Sequence, residues 1–216
     1  MFNACSSAWR EVKVVVLSLG AALLLAFWLQ SQWVALLSAA LLSWIVYFFR
    51  NPERMPDSRS PEAILAPADG QVTAIEKVDE PHFMQGPAWR ISVFLSLFDV
   101  HVQRSPYTGV VQLLCYQAGA FAPAYLKDTH LNESNLIGLE TSHGPVAVKQ
   151  IAGILARRIV CWPAMGDTLV TGRRLGLIRF GSRVDLLLPP AVEVLVQVGQ
   201  KVYGGQTVVA KWTASH

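Results

Sequence analysis

Leu177-Ile178-Arg179-Phe180-Gly181-Ser182-Arg183-Val184-Asp185-Leu186-Leu187-Leu188-Pro189 sets a Gly-Ser pair between two apolar runs. The runs read as short strands. The second, Val184 to Leu188, is apolar but for Asp185 and is stopped by Pro189-Pro190. Glycine at 181 permits φ > 0 and leaves its carbonyl carbon open to a nucleophile. Ser182 carries a hydroxyl one residue beyond that carbonyl. Taken alone, Gly-Ser reads as a hairpin turn. The same spacing also lets the hydroxyl attack the chain's own peptide bond.

The remaining 200 or so residues divide by composition. The chain has 216 residues, 52% hydrophobic and only 15% charged, which points to membrane contact. A formal charge of +3, with no long basic run and no aromatic–basic interleaving, excludes a nucleic-acid partner. Cys5, Cys115 and Cys161 are odd in number and widely spaced, so neither a disulfide framework nor a CxxC metal site is expected.

From Val14 to Phe49 the sequence is apolar except around Gln30-Ser31-Gln32 and a few serines. One helix over this stretch would measure about 54 Å, too long for a single crossing. Two segments, Val14–Leu29 and Trp33–Phe49, turning near Ser31, fit better. Residues 1–49 are therefore expected to form an N-terminal membrane helical hairpin; a pair lying in one leaflet is the alternative. Arg10 and Lys13 precede it, and Arg50, Arg54 and Arg59 follow it. The positive-inside rule then places both flanks in the cytoplasm, with residues 50–216 expected to face the cytoplasm from the cell (inner) membrane.

Residues 50–216 are long enough for an independent core. Ile64 to Ile75 reads strand, turn, strand, with Asp69-Gly70 at the turn. Trp89 to Phe98, Pro145 to Ile151 and Ile159 to Trp162 are further strands, and Gly119 to Asn135 reads as a helix or loop ending at Asn132-Glu133-Ser134-Asn135. His130 and His143 match no metal spacing, so no metal is expected. Arg157 and Arg158 read as a solvated face, or as a contact to an anionic headgroup. The expected fold is mostly β (α+β): an antiparallel, sandwich-like domain. Val194 to Ala210 resembles half of a lipoyl-type barrel-sandwich, with Pro67 to Gly70 in the other half and no carrier lysine in place.

Several ordered blocks resemble the phosphatidylserine decarboxylase proenzymes, in the short prokaryotic form. They are Phe48-Phe49-Arg50-Asn51-Pro52-Glu53-Arg54, Ala66-Pro67-Ala68-Asp69-Gly70, Phe98-Asp99-Val100-His101-Val102, Asn132-Glu133-Ser134-Asn135, Gln150-Ile151-Ala152-Gly153, Ala156-Arg157-Arg158-Ile159-Val160-Cys161 and Arg179-Phe180-Gly181-Ser182-Arg183. The resemblance implies self-cleavage at Gly181-Ser182 into pieces 1–181 and 182–216. The Ser182 hydroxyl attacks the Gly181 carbonyl to give an ester. β-Elimination frees the Gly181 carboxylate, and loss of ammonia leaves a pyruvoyl group, a cofactor made from Ser182 itself. It implies His101 as acid/base and Asp69 as the carboxylate orienting it, although lone histidines and Asp-Gly turns are commonly structural. Many relatives carry a second histidine three residues on, where this chain has Arg104. The implied reaction removes the carboxyl of a serine phospholipid at a membrane, with two subunits cut from one chain and a homo-oligomer left open.

Two other readings stand beside it. Asp69, His101 and Ser182 occur in one of the known triad orders of hydrolases, but no Gly-x-Ser-x-Gly elbow surrounds Ser182. A membrane-anchored β-sandwich without catalysis is the other. Only the first reading requires a split chain.

Overall fold

The computed structural model describes residues 16–25, 27–28, 31–119, 132–153, 159–178 and 182–213. It divides into two units, Met1–Asn51 and Pro52–His216. In the first, residues 16–25 and 27–28 are helical, Ser31 has extended backbone (φ −90°, ψ 98°), and a helix runs Gln32–Phe48. Seventeen residues make about 26 Å of helix. Among the described residues no helix is long and apolar enough to cross a membrane. The helix leaves Trp33, Leu36, Leu37 and Val46 exposed. At its end the Arg50 guanidinium lies over the Tyr47 ring, 3.8 Å from its centre, and donates to the Tyr47 carbonyl.

The second unit is mostly β, and every described strand pairing is antiparallel. Its largest sheet has eight strands. In spatial order they are β13 (Lys201–Val202), β2 (Gly70–Glu80), β3 (Gly86–Leu95), β11 (Ser182–Leu188), β7 (Gly144–Ala152), β6 (Ser134–Thr141), β5 (Gly109–Gln117) and β9 (Thr168–Leu169). A second sheet orders β4 (Val102–Arg104), β10 (Arg174–Ile178) and β8 (Ile159–Cys161). A third orders β1 (Ala63–Leu65), β14 (Val208–Trp212) and β12 (Val192–Val194).

β11 lies in the middle of the large sheet because it can be buried on both faces. Val184, Leu186 and Leu188 join the main core with Ile91, Val93, Val146 and Val148. Leu187 packs on the opposite face with Leu136 and Ala147 beneath Phe83. The period-2 alternation places Ser182 on the same side as Val184, toward the main core.

Two expected local features turn out differently. β10 and β11 do not pair with each other; they belong to different sheets, so the strands on either side of Gly181-Ser182 are not the arms of a hairpin. Asp69-Gly70 likewise joins β1 and β2 of different sheets and forms a corner. Gly70 sits at φ 155°, where a Cβ would lie 2.2 Å from the Phe94 carbonyl oxygen. Of the Asn132–Asn135 block, expected to end a helix or loop, Ser134 and Asn135 begin β6. The preceding residues, 120–131, lie outside the described residues, as do Cys5, His130, Ala156–Arg158 and Gly181.

The strand orders of two sheets match. β3, β11 and β7 are neighbours in the large sheet; β4, β10 and β8 are neighbours in the small one, in that order. Three connections therefore link corresponding strands: β3 to β4, β10 to β11, and β7 to β8. The central one contains Gly181. The first contains His101.

Candidate active site

Ser182 opens β11 and is pinned on both sides, opposite Leu95 of β3 and Ala152 of β7. It is fully buried, and its Oγ has no hydrogen-bond partner among the described residues. A buried hydroxyl without a partner forfeits its hydration, a cost of about 1–3 kcal/mol, so such a group invites a functional explanation.

On the other side of the junction, Leu177 of β10 pairs with Val102 of β4, the residue after His101. On the near side, Leu95 faces Ser182 and leads into the turn before His101. Pairing thus brings His101 to the same inter-sheet seam as Ser182. The imidazole is 1% exposed, and its Nδ1 lies 2.9 Å from the Asp99 carbonyl oxygen. A carbonyl only accepts, so Nδ1 carries the hydrogen and Nε2 is the ring's accepting nitrogen.

Asp99 fixes the turn that presents this carbonyl. Its Oδ2 accepts from the Ser96 N–H (2.8 Å) and hydroxyl (2.7 Å), and Oδ1 accepts from the Lys201 ammonium. Burial pushes the Asp99 carboxyl up, but the bonds from Lys201 and Ser96 together outweigh it, leaving its pKa below the ordinary Asp value. A depressed folded pKa contributes stability that is present above the unfolded pKa and lost as pH falls through the folded one. Lys201→Met removes the strongest opposing bond, so burial then dominates and this acid-side gain shrinks or reverses. The expected loss at neutral pH is about 1 kcal/mol, discounted because Lys201 is half exposed. Urea midpoints at pH 4 and pH 7 check it: the wild-type difference should exceed that of the variant.

Asp69 is buried at the β1–β2 corner. Its Oδ2 takes the Arg54 guanidinium at 2.7 Å, and its Oδ1 the Gly204 N–H at 2.8 Å. Burial raises its pKa against the pull of both partners. The Arg104 N–H donates to the Pro67 carbonyl at 2.8 Å, fastening this corner beside β4. Arg54, expected as a flanking charge, is thereby turned inward, with Tyr203 5.3 Å from its guanidinium carbon. Arg104 donates to the Gly172 and Pro52 carbonyls, a structural use for the position where many relatives have histidine.

Residues to which the sequence assigned no specific contact complete the seam. Asn132 Nδ2 donates to the carbonyl of Ala152, the residue opposite Ser182, and the Ala152 N–H donates to the Glu133 carbonyl. Gln103, Gln150 and Asn135 are buried alongside. The visible signal was Gln150 itself: with Val146 and Val148 it falls on the core-facing parity of β7, where an amide is out of place. Cys115 and Cys161 are free thiols, and His143 stacks on Trp212 with ring centres 5.4 Å apart. Among the described residues no His, Cys, Asp and Glu cluster is arranged to hold a metal ion.

The chain is similar to known proteins over nearly its whole length. The family model for phosphatidylserine decarboxylase matches residues 41–210. A phosphatidylserine decarboxylase proenzyme from Carboxydothermus hydrogenoformans is 44% identical over 206 residues, 94% of this chain and 93% of its own. Proenzymes of the same name from Gluconacetobacter diazotrophicus and Symbiobacterium thermophilum are 47% and 48% identical, covering 85% and 80% of this chain and 84% and 81% of theirs. With blocks on both sides of the inter-sheet seam inside the match, the chain belongs to the phosphatidylserine decarboxylase family.

Proposed function

We infer that this chain is a proenzyme that cuts itself between Gly181 and Ser182, converts Ser182 to a pyruvoyl group, and decarboxylates phosphatidylserine to phosphatidylethanolamine. The decarboxylation follows from family membership. One observation carries the self-cleavage: Ser182 is a fully buried serine whose Oγ has no hydrogen-bond partner among the described residues, held between two strands at the end of the Gly181 connection. A turn serine needs none of this. A group made from Ser182 fits such a residue, because the hydroxyl to be consumed holds no structural bond among the described residues.

In this reading His101 Nε2 takes the Ser182 proton while the Asp99 carbonyl holds Nδ1–H. The Oγ–carbon bond to Gly181 forms, the carbon–nitrogen bond breaks, and the proton passes to the departing nitrogen. Elimination then frees the Gly181 carboxylate, and water replaces nitrogen as ammonia leaves. A pyruvoyl group at residue 182 would supply a carbonyl for the substrate amine and an electron sink for the pair released with carbon dioxide. His101, protonated at Nε2, is the proton donor to the carbon that lost the carboxyl. Intact mass under denaturing conditions tests the proposal: pieces 1–181 and 182–216, the smaller with a blocked, keto-bearing end, are expected. A single unmodified chain in the active enzyme would overturn it.

The N-terminal residues are proposed to form a membrane hairpin at the inner membrane, with residues 50–216 on the cytoplasmic side. Supporting this are the basic flanks, the exposed apolar face of Gln32–Phe48 and the break at Ser31. Anchoring raises the effective concentration of an insoluble substrate. A chain lacking residues 1–46 should still split and should act on detergent-dispersed lipid. Turnover on intact vesicles should fall by about tenfold or more. Equal turnover on vesicles would remove the hairpin from substrate access.

A further inference from the structure

The two sheets that meet at Ser182 are tied by a buried chain of amides that the chemistry above does not use. Asn135 of β6 donates to Gln150 Oε1 of β7 at 3.0 Å; Gln150 Nε2 donates to Gln103 Oε1 of β4 at 3.0 Å; Gln103 Nε2 donates to the His101 carbonyl at 2.8 Å. Its direction is forced from the far end. The His101 carbonyl can only accept, so Gln103 must present its NH2 there and its oxygen to Gln150. Gln150 must then present NH2 to Gln103 and oxygen to Asn135. Gln103 and Gln150 are fully buried, and Asn135 nearly so.

The route also needs Gly176 of β10. A Cβ there would lie 2.6 Å from Gln150 Nε2. The Gln150 side chain thus passes the strand that leads to the scissile junction and reaches the strand that follows His101. Gln150 is itself paired with Val184, two residues into β11. A buried polar chain stabilises little compared with apolar packing, and its value lies in fixing one arrangement.

We propose that Gln150 and Gln103 are positioning residues for self-cleavage, setting the distance between the His101 segment and the Gly181–Ser182 bond across the two sheets. The proposal rests on the reading in which Ser182 attacks Gly181 and His101 is the base. The discriminating variant is Gln150→Glu. Protonated, a glutamic acid reproduces the two bonds of the chain, donating O–H to Gln103 and accepting from Asn135, and gives up only the 3.5 Å contact from Gln150 Nε2 to the Val160 carbonyl. Ionised, it faces the Gln103 oxygen with no hydrogen to give. Wild-type cleavage gives the reference pH profile, set by its own base. Gln150→Glu should instead cleave at near wild-type rate on the acid side and fall at least tenfold as its buried carboxyl ionises.

The full-length chain, synthesised without cells, would be followed as split fraction against time between pH 5.5 and 8.5. Melting temperatures at each pH give rates per folded molecule. Gln150→Met should be at least tenfold slow at every pH, with the wild-type midpoint. Should Gln150→Met fail to fold, Gln150→Glu on the acid side, which can make both bonds, still decides the matter. Gln150→Glu following the wild-type pH profile, or Gln150→Met cleaving at the wild-type rate per folded molecule, would overturn the proposal. Ser182→Ala in the same series separates the two levels: cleavage of that variant would overturn the underlying reading, whatever Gln150 does.

Discussion

Ser182→Ala yields one chain of 216 residues, with decarboxylation down by about a thousandfold or more. The variant removes only Oγ, the atom that the proposed self-cleavage needs both as the nucleophile on Gly181 and as the leaving group of the elimination that precedes the reactive carbonyl. It should also be at least as stable as the unprocessed parent. Oγ is buried without a partner among the described residues, so replacing it by hydrogen abolishes no bond and relieves a desolvation cost of about 1–3 kcal/mol. The combination is diagnostic: a serine held for folding would lose stability on truncation, and a spent nucleophile does not. Ser182→Cys keeps a nucleophile and should split slowly. Ser182→Thr adds a methyl group at a fully buried position and should split more slowly still. Intact mass and thermal unfolding of the three variants provide the check. Two fragments from Ser182→Ala would move the chemistry to another residue.

The strands themselves were legible because their signals are local. Trp89 to Phe98 and Pro145 to Ile151 are β-branched or apolar runs bounded by turn residues, and β3 and β7 occupy most of them. Which sheet each strand joins was not legible. β1 pairs with β14, Ile64 opposite Ala210, and no local pattern encodes a partner so far along the chain. For the same reason Gly181-Ser182 looked like a turn: two short strands flanking a Gly-Ser pair are locally identical whether or not they pair with each other. The sequence blocks pointed to Asp69, His101 and Ser182, and the fold carries His101 and Ser182 to one seam. Arg54 on Asp69 and the Asp99 carbonyl on His101 were not legible, because one is a long-range ion pair and the other a backbone contact. Gln150 is the intermediate case. Its parity in β7 marks it as misplaced, but only the fold shows that Gly176 opens a passage to Gln103.

His101→Ala should slow cleavage by about 10²–10⁴-fold, the usual contribution of a positioned base. Asp69→Asn should also slow it, and the structure gives two separable reasons. If Asp69 acts through the imidazole, both changes remove one function, and the double variant is scarcely slower than His101→Ala. If Asp69 acts by anchoring Arg54 and the Gly204 N–H, its loss loosens the corner independently, and the defects multiply. The stability of Asp69→Asn distinguishes these further. Asparagine can still accept from Gly204, but it leaves the largely buried Arg54 guanidinium without its countercharge, a loss of about 3 kcal/mol or more. Arg54→Met provides the control. It keeps the carboxylate while removing the cation that draws its pKa down, so burial raises the Asp69 pKa further. The acid limb of cleavage should then move to higher pH if ionised Asp69 assists the imidazole. An unchanged limb in Arg54→Met, with multiplicative defects in the double variant, would confine Asp69 to holding the corner and leave His101 oriented by the Asp99 carbonyl alone.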